Sequence, residues 1–268
     1  MTFFWRLSPA NFLKSYLFLI KYTVHRSIIV GLFAGLASSA SAETIFTNAD
    51  ALNDLFTNSA NWSAGLPVGQ QGTISTDAGF DTRLTLVNYD VVHSAGLVAR
   101  VDDPFIGGLF GLNIGEGSTW VATGTASYGI FRGLSVSDGG SYIQEAGVTG
   151  DFSSTRRDSE VSGSDTGGTG ASLVINGGTF DVGRDLKVND NADLTINGGV
   201  MTIPEQIVNL AFEPAFNSLN FNGGTTTADS FQFDTAGTAT FGGSTAGSLS
   251  LTSLGNGVTL DFLSGSLM

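Results

Sequence analysis

Ser172–Ile203 reads SLVINGGTFDVGRDLKVNDNADLTINGGVMTI and contains one phrase twice. Leu173-Val174-Ile175-Asn176-Gly177-Gly178 returns 21 residues later as Leu194-Thr195-Ile196-Asn197-Gly198-Gly199. An alternating apolar pair followed by Asn-Gly-Gly describes a strand that ends in a tight turn. A repeat of this period decides the architecture, because one unit cannot bury its apolar face alone and must stack on the next. The repeat predicts an all-β chain, a right-handed parallel β-helix with rungs of about 21 residues.

Variants of the phrase extend the series in both directions. Taking the last apolar residue before each turn gives Ile114, Val136, Ile175, Ile196, Phe221, Phe241 and Phe262, with spacings of 22, 39, 21, 25, 20 and 21. The gap of 39 contains Gly150–Ala171, a polar Gly/Ser-rich run that reads as a loop leaving the stack. A second apolar pair recurs halfway round, at Leu186 and Val188, Phe231 and Phe233, and Leu249 and Leu251. That indicates two or three short strands per rung. Strand alternation places Ile175, Ile196 and Phe221 in one buried column and turns Val174 outward. Asn176, Asn197 and Asn222 then form a column of stacked amides at the corner. Trp120, Tyr142, Phe180 and Met201 follow turns and extend the apolar stack. Hairpins at each Asn-Gly would be the rival reading, but they do not require a constant interval between turns.

Before the repeats, Arg6, Lys14, Lys21 and Arg26 precede an apolar run, Ile28–Leu36, and then Ala40-Ser41-Ala42. This order describes a secretory leader cleaved after Ala42. All 24 acidic residues come after that point. Removing 42 of 268 residues leaves 226, with 7 basic and 24 acidic groups, a net charge near −17. Such a charge repels nucleic acid and anionic membrane, so membrane contact is expected only through the leader during export. Residues 43–103 read as an N-terminal cap with irregular rungs, including a helical turn at Asp50–Phe56 and an aromatic anchor at Trp62. Residues 104–268 read as the repeats, interrupted by the insertion at 150–171.

Few residues could carry chemistry. Without cysteine, and with His93 as the only histidine after the leader, a Cys/His zinc site is excluded. His93 itself reads as a surface residue near the cap. Asp185, Asp190 and Asp193, with Asn189 and Asn191 between them, supply the oxygen ligands calcium uses, but in no EF-hand order. No other cofactor is implied, and a solvated acidic turn is the plainer reading of these residues. Asp181, Arg184, Asp185 and Lys187 form a mixed-sign cluster that could line the groove of a polysaccharide lyase, where a base stands beside acids. Outward charges that keep a solenoid soluble are the plainer reading. Trp62, Trp120 and Tyr142 are candidate sugar contacts by ring stacking.

The phrases Asn61–Pro67 (NWSAGLP), Leu173–Thr179 and Leu194–Val200, with the closing Leu260–Ser266 (LDFLSGS), resemble a known group. They are similar to secreted, Gly/Thr/Asn-rich bacterial β-helix proteins with autotransporter-type repeats, many of which carry a PEP-CTERM sorting tail. The resemblance implies export and a structural or adhesive role at the cell surface or in extracellular matrix. The partners it implies are extracellular polysaccharide, surface proteins or further copies of the chain. It brings no catalytic residues. The chain departs from tailed members in lacking the Pro-Glu-Pro signal, the membrane helix and the basic terminus, and its stop at Met268 just after a repeat phrase reads as a truncation.

Overall fold

A computed structural model describes residues 44–47, 59–68, 71–80, 84–100, 111–129, 133–153, 158–164, 170–209, 217–233, 237–242, 247–255 and 258–263. The chain divides into two compact units, Met1–Ala42 and Glu43–Met268. The first, where the leader is expected, lies outside the described residues, as do the turn expected at Asp50–Phe56 and the arginines Arg156 and Arg157. Among the described residues of the second unit, 21 strands form one continuous sheet whose strand-to-strand pairings are all parallel. Among the described residues the only helix is the short turn Ser59–Asn61, and no helix is long and apolar enough to cross a membrane.

The pairings resolve into three ladders, so the unit is a parallel β-solenoid with three faces. The first face stacks Thr44–Phe46, Gln71–Ile74, the leading half of Asp90–Arg100, the leading half of Thr119–Gly129 and Ser141–Gln144. It continues through Ala171–Ile175, Ala192–Ile196, Ser218–Phe221, Gly237–Phe241 and Val258–Phe262. The second face runs from Ala78–Phe80 through Thr149–Phe152 and Thr179–Val182 to the leading halves of Val200–Asn209, Gly224–Phe233 and Gly247–Leu254. The third stacks Leu84–Val87, Leu112–Gly115, Leu134–Ser137, Ser159–Ser162 and Leu186–Asn189 on the trailing halves of the same long strands.

The inward column expected on the first face is present. Ile175, Ile196, Phe221 and Phe241 lie in register and are buried, and the rings of Phe221 and Phe241 stack with centroids 4.8 Å apart and planes 8° apart; Phe262 continues the register on the next rung but is 45% exposed. Burial alternates residue by residue in Ala171–Ile175, with Leu173 and Ile175 buried and Val174 half-buried on the outer side.

Two expectations change. Ile114 and Val136, which open the series of phrases, do not mark the same corner as Ile175; they stack with Val161 and Val188 on the third face. The turn after the third face also uses left-handed backbone, at Glu116-Gly117, Asp138-Gly139 and Asp190-Asn191. It therefore copies the apolar-then-glycine phrase of the first corner, and one phrase stands for two different corners. The described parts of the run 150–171 do not leave the stack either. They contribute Thr149–Phe152 to the second face and Ser159–Ser162 to the third. Phe152, Val161 and Ala171 are buried, so few apolar residues suffice where most of the run is polar.

At the opposite end, the Asn61-Trp62 phrase covers the outer edge of the first strand. Thr47 N–H donates to the Asn61 carbonyl (2.7 Å), Ser63 N–H to the Ile45 carbonyl (2.8 Å), and Trp62 packs edge-on to Phe46 at 5.2 Å. An otherwise open strand edge is thereby paired.

The fold makes two mutational predictions. Ile196→Asp puts an unpaired charge in a dry column and costs several kcal/mol, whereas the outward Val174→Asp costs less than about 1 kcal/mol. Urea melts of the two variants check this; equal losses would contradict the alternation. Gly199→Ala costs about 1–3 kcal/mol, because its φ is 81° and the new Cβ would sit 2.5 Å from the Gly178 carbonyl oxygen.

Candidate functional site

Of the expected mixed-sign cluster, Arg184, Asp185 and Lys187 come together, and they do so around Asp158, which the sequence reads as a solvated loop residue. The chain turns from second to third face at Gly183-Arg184-Asp185. In the preceding rung the same corner is occupied by Asp158, and in the following one by Glu205. Backbone bonds hold the levels together: Ser159 N–H donates to the Asp185 carbonyl (2.9 Å), and Glu205 N–H to the Arg184 carbonyl (3.2 Å).

Arg184 grips Asp158 with two hydrogen bonds, Nε to Oδ1 at 2.7 Å and Nη2 to Oδ2 at 2.9 Å. Lys187 reaches the same carboxylate at 2.6 Å, and Asp185 Oδ2 lies 3.4 Å from Arg184 Nε. Asp158 is 16% exposed and Arg184 42%, so the pair sits at the rim of the solenoid. Glu160 lies in register beside Lys187 and accepts a 2.7 Å bond from Asn189 Nδ2. Asp181 is not drawn in: its neighbours in register are Asp151 and Thr202 on the second face.

The two central carboxyls are pushed in opposite directions. Burial raises Asp158, but the hydrogen bonds and charges of Arg184 and Lys187 outweigh it and hold the group below its ordinary value. Burial raises Asp185 as well, the charge of Asp158 adds to the effect, and the Gln206 amide and Arg184 offset it only in part. The Asp158 bonds raise Arg184 further. Chemically, both cations are engaged by one carboxylate, so neither is presented as a free base, and Asp185 is the carboxyl whose ionisation the site resists.

The other candidates separate. Asp185 stands at one end of Leu186–Asn189, and Asp190 and Asp193 lie beyond its other end, with Asp190 and Asn191 forming the left-handed corner. The calcium set is thus split by a strand, and among the described residues no three acidic or histidine groups converge. Trp62, Trp120 and Tyr142 are 4%, 0% and 0% exposed, so none of them offers a ring face to a sugar. Trp120 and Tyr142 sit on the inner side of their rungs, in register with each other and then with Leu173, and Trp62 packs against Phe46 at the covered edge.

His93 is a core residue rather than a surface one. It is fully buried between Ile74 and Ala122 in the first-face column, with its ring edge-on to Tyr128 at 5.1 Å and Trp120 at 6.1 Å. Around it lies a buried polar cluster. Trp120 Nε1 donates to Tyr128 Oη (2.6 Å), Tyr142 Oη to Gln144 Oε1 (3.1 Å), and Gln144 Nε2 to the carbonyls of Gly177 and Thr179 (3.0 and 2.9 Å). Burial pushes both tyrosines far above their ordinary values. They serve as neutral hydrogen-bonding groups at every physiological pH.

Comparison with known proteins finds no matching family model, no matching curated protein and no matching solved structure.

The corner predicts a pH signature. Asp158 has a folded value below its unfolded one, so its stabilisation is present above the ordinary carboxylate range and is lost as pH falls through the lowered value. Asp185 runs oppositely: its ionisation opposes folding near neutrality, and that cost is relieved as pH falls through the raised value. Asp158→Asn therefore costs roughly 1–2 kcal/mol at neutral pH, a figure kept small by the exposure of Arg184, and the loss shrinks toward about pH 3. Asp185→Asn is neutral or slightly stabilising at neutral pH. Chemical denaturation of both variants at the two pH values measures these differences.

Proposed function

We propose that this chain is an exported structural or adhesive protein of the bacterial cell surface or extracellular matrix. The observation that carries the reading is the first face, where ten strands stack in parallel register and their outward side chains form continuous ranks. A surface of that kind suits repeated contact with an extended partner better than the enclosure of one small substrate. The leader-like segment before Glu43, the strongly acidic composition of residues 43–268 and the likeness to autotransporter-type repeat proteins support export. Extracellular polysaccharide, surface proteins and further copies of the chain are the partners this role implies.

One observation favours a second reading, a polysaccharide-active β-helix enzyme. Asp158 and Asp185 are neighbouring carboxyls whose acidities are driven apart by their surroundings, the pattern by which acid and base roles are divided in many active sites. The three ion pairs that tie Arg184 and Lys187 to the carboxylates give the same pattern a structural origin, so the scaffold reading takes precedence.

Expression of the full chain in a Gram-negative host tests the proposal. The expected result is protein outside the inner membrane with a new N-terminus at Glu43, and no turnover of a polysaccharide panel with or without calcium. Protein retained in the cytoplasm with its leader intact would overturn export. Polysaccharide turnover abolished by Arg184→Ala or Asp185→Asn would replace the structural reading with the enzymatic one.

A further inference from the structure

The outer surface of the first face is ordered in three ranks that run along the stack. Its centre is an aliphatic rank: Val92, Val121, Ile143 and Val174 occupy consecutive rungs in register, with Thr73 before them and Thr195 after. All six are β-branched and half-buried by one another, so they hold single rotamers and lose little freedom when covered. At about 4.8 Å per rung the rank from Thr73 to Thr195 is roughly 24 Å long.

Polar ranks flank it on both sides. Two residues earlier on each strand lie Thr119, Ser141 and Ser172, in register, with Ser172 Oγ donating to Ser141 Oγ at 2.8 Å. Asp90 and Asp193 close this rank at its two ends. Two residues later stands the amide ladder. Asn222 Nδ2 donates to Asn197 Oδ1 (2.9 Å), Asn197 to Asn176 (2.8 Å), and Asn176 to Glu145 Oε1 (2.9 Å). In such a ladder one amide hydrogen of each asparagine points along the stack, and an amide carries two, so Asn176 and Asn197 each have a second N–H besides the one the ladder uses.

We infer that the first face binds an extended, uncharged polysaccharide chain laid parallel to the solenoid axis. The chemistry of the ranks selects that occupant. A pyranose ribbon presents C–H-rich ring faces and hydroxyl-rich edges. The aliphatic rank covers the first, and the hydroxyl rank and amide ladder bond the second on either side. Each sugar ring advances the ribbon by a step comparable to one rung, so the contacts recur instead of drifting out of phase. Charge decides among partners. The three ranks carry no cation, and the carboxylates that bracket them, Asp90, Asp193 and Glu145, accept hydrogen bonds from hydroxyl groups but repel acidic glycans. A chain with a net charge near −17 after leader removal also repels a second copy of itself.

This inference rests on the extracellular reading and gives it a partner. The test is a pull-down of the full-length mature chain with amorphous cellulose and with chitin, and with calcium-free pectate as the acidic comparator. Binding to at least one neutral polymer, absent on pectate, is expected. Val174→Asp and Ile143→Lys, both on the outer side of the stack, should each weaken it at least tenfold, while Thr202→Asp on the second face leaves it unchanged. Wild-type binding that survives both first-face substitutions, or binding to pectate alone, overturns the inference. So does sedimentation showing a dimer that Val174→Asp dissociates, since a second copy would then be the occupant. Cell fractionation keeps the two ideas apart: an exported protein without glycan binding loses only this surface, and a cytoplasmic protein that binds cellulose loses only the extracellular role.

Discussion

At the corner after the first face, each glycine lies directly over the carbonyl of the rung before it. A Cβ on Gly199 would fall 2.5 Å from the Gly178 oxygen, and one on Gly224 would fall 2.6 Å from the Gly199 oxygen. Both residues also have positive φ, at 81° and 74°. Rungs approach to hydrogen-bonding distance here only because no side chain intervenes. The asparagine two residues earlier then bonds to its counterpart one rung away, which fixes register as well as spacing. That register sets the core columns, the charged corner and the outward ranks. A slip of one residue would turn Ile196 to solvent and Thr195 into the core.

The Asn-Gly-Gly phrase made most of this legible in the sequence, since period, alternation and corner chemistry all appear in Ser172–Ile203. What was not legible has specific causes. Two corners of each rung use the same solution, an apolar strand end followed by left-handed backbone, so Ile114 and Val136 read as the same phrase as Ile175 although they are a face away. The span 150–171 is mostly polar because its described strands place only Phe152, Val161 and Ala171 as apolar residues inside, and composition cannot distinguish a thinly filled rung from a loop. Gln144 stands in an apolar column because Tyr142 and the Gly177 and Thr179 carbonyls give it hydrogen-bond partners, and His93 stands there packed edge-on against the Tyr128 and Trp120 rings. Those partners lie up to 35 residues away in sequence.

The charged corner teaches the same lesson. Asp181, Arg184, Asp185 and Lys187 are close in sequence, but the residue that unites the two cations is Asp158, one rung earlier and 26 residues before Arg184. Stacking, not sequence proximity, composes sites in a solenoid. The same rule explains the first face, where no single strand carries a recognisable binding motif and the pattern exists only when equivalent positions are read down the stack. The central rank changes from valine and isoleucine to threonine and asparagine toward the later rungs. This confines the apolar strip to the earlier part of the face.

The absence of cysteine from the chain allows the register to be tested directly. Val174 and Thr195 are paired across adjacent rungs, and Asn220 succeeds Thr195 one rung on. Cysteines at 174 and 195 would have Cα atoms about 4.8 Å apart, within the range a disulfide spans, whereas 174 and 220 would be roughly 10 Å apart and beyond it. Under mild oxidation the first pair should close quantitatively in the folded protein and the second should remain reduced. Efficient closure of the 174–220 pair, or failure of the 174–195 pair in a folded variant, would contradict the stacked register on which the whole account stands.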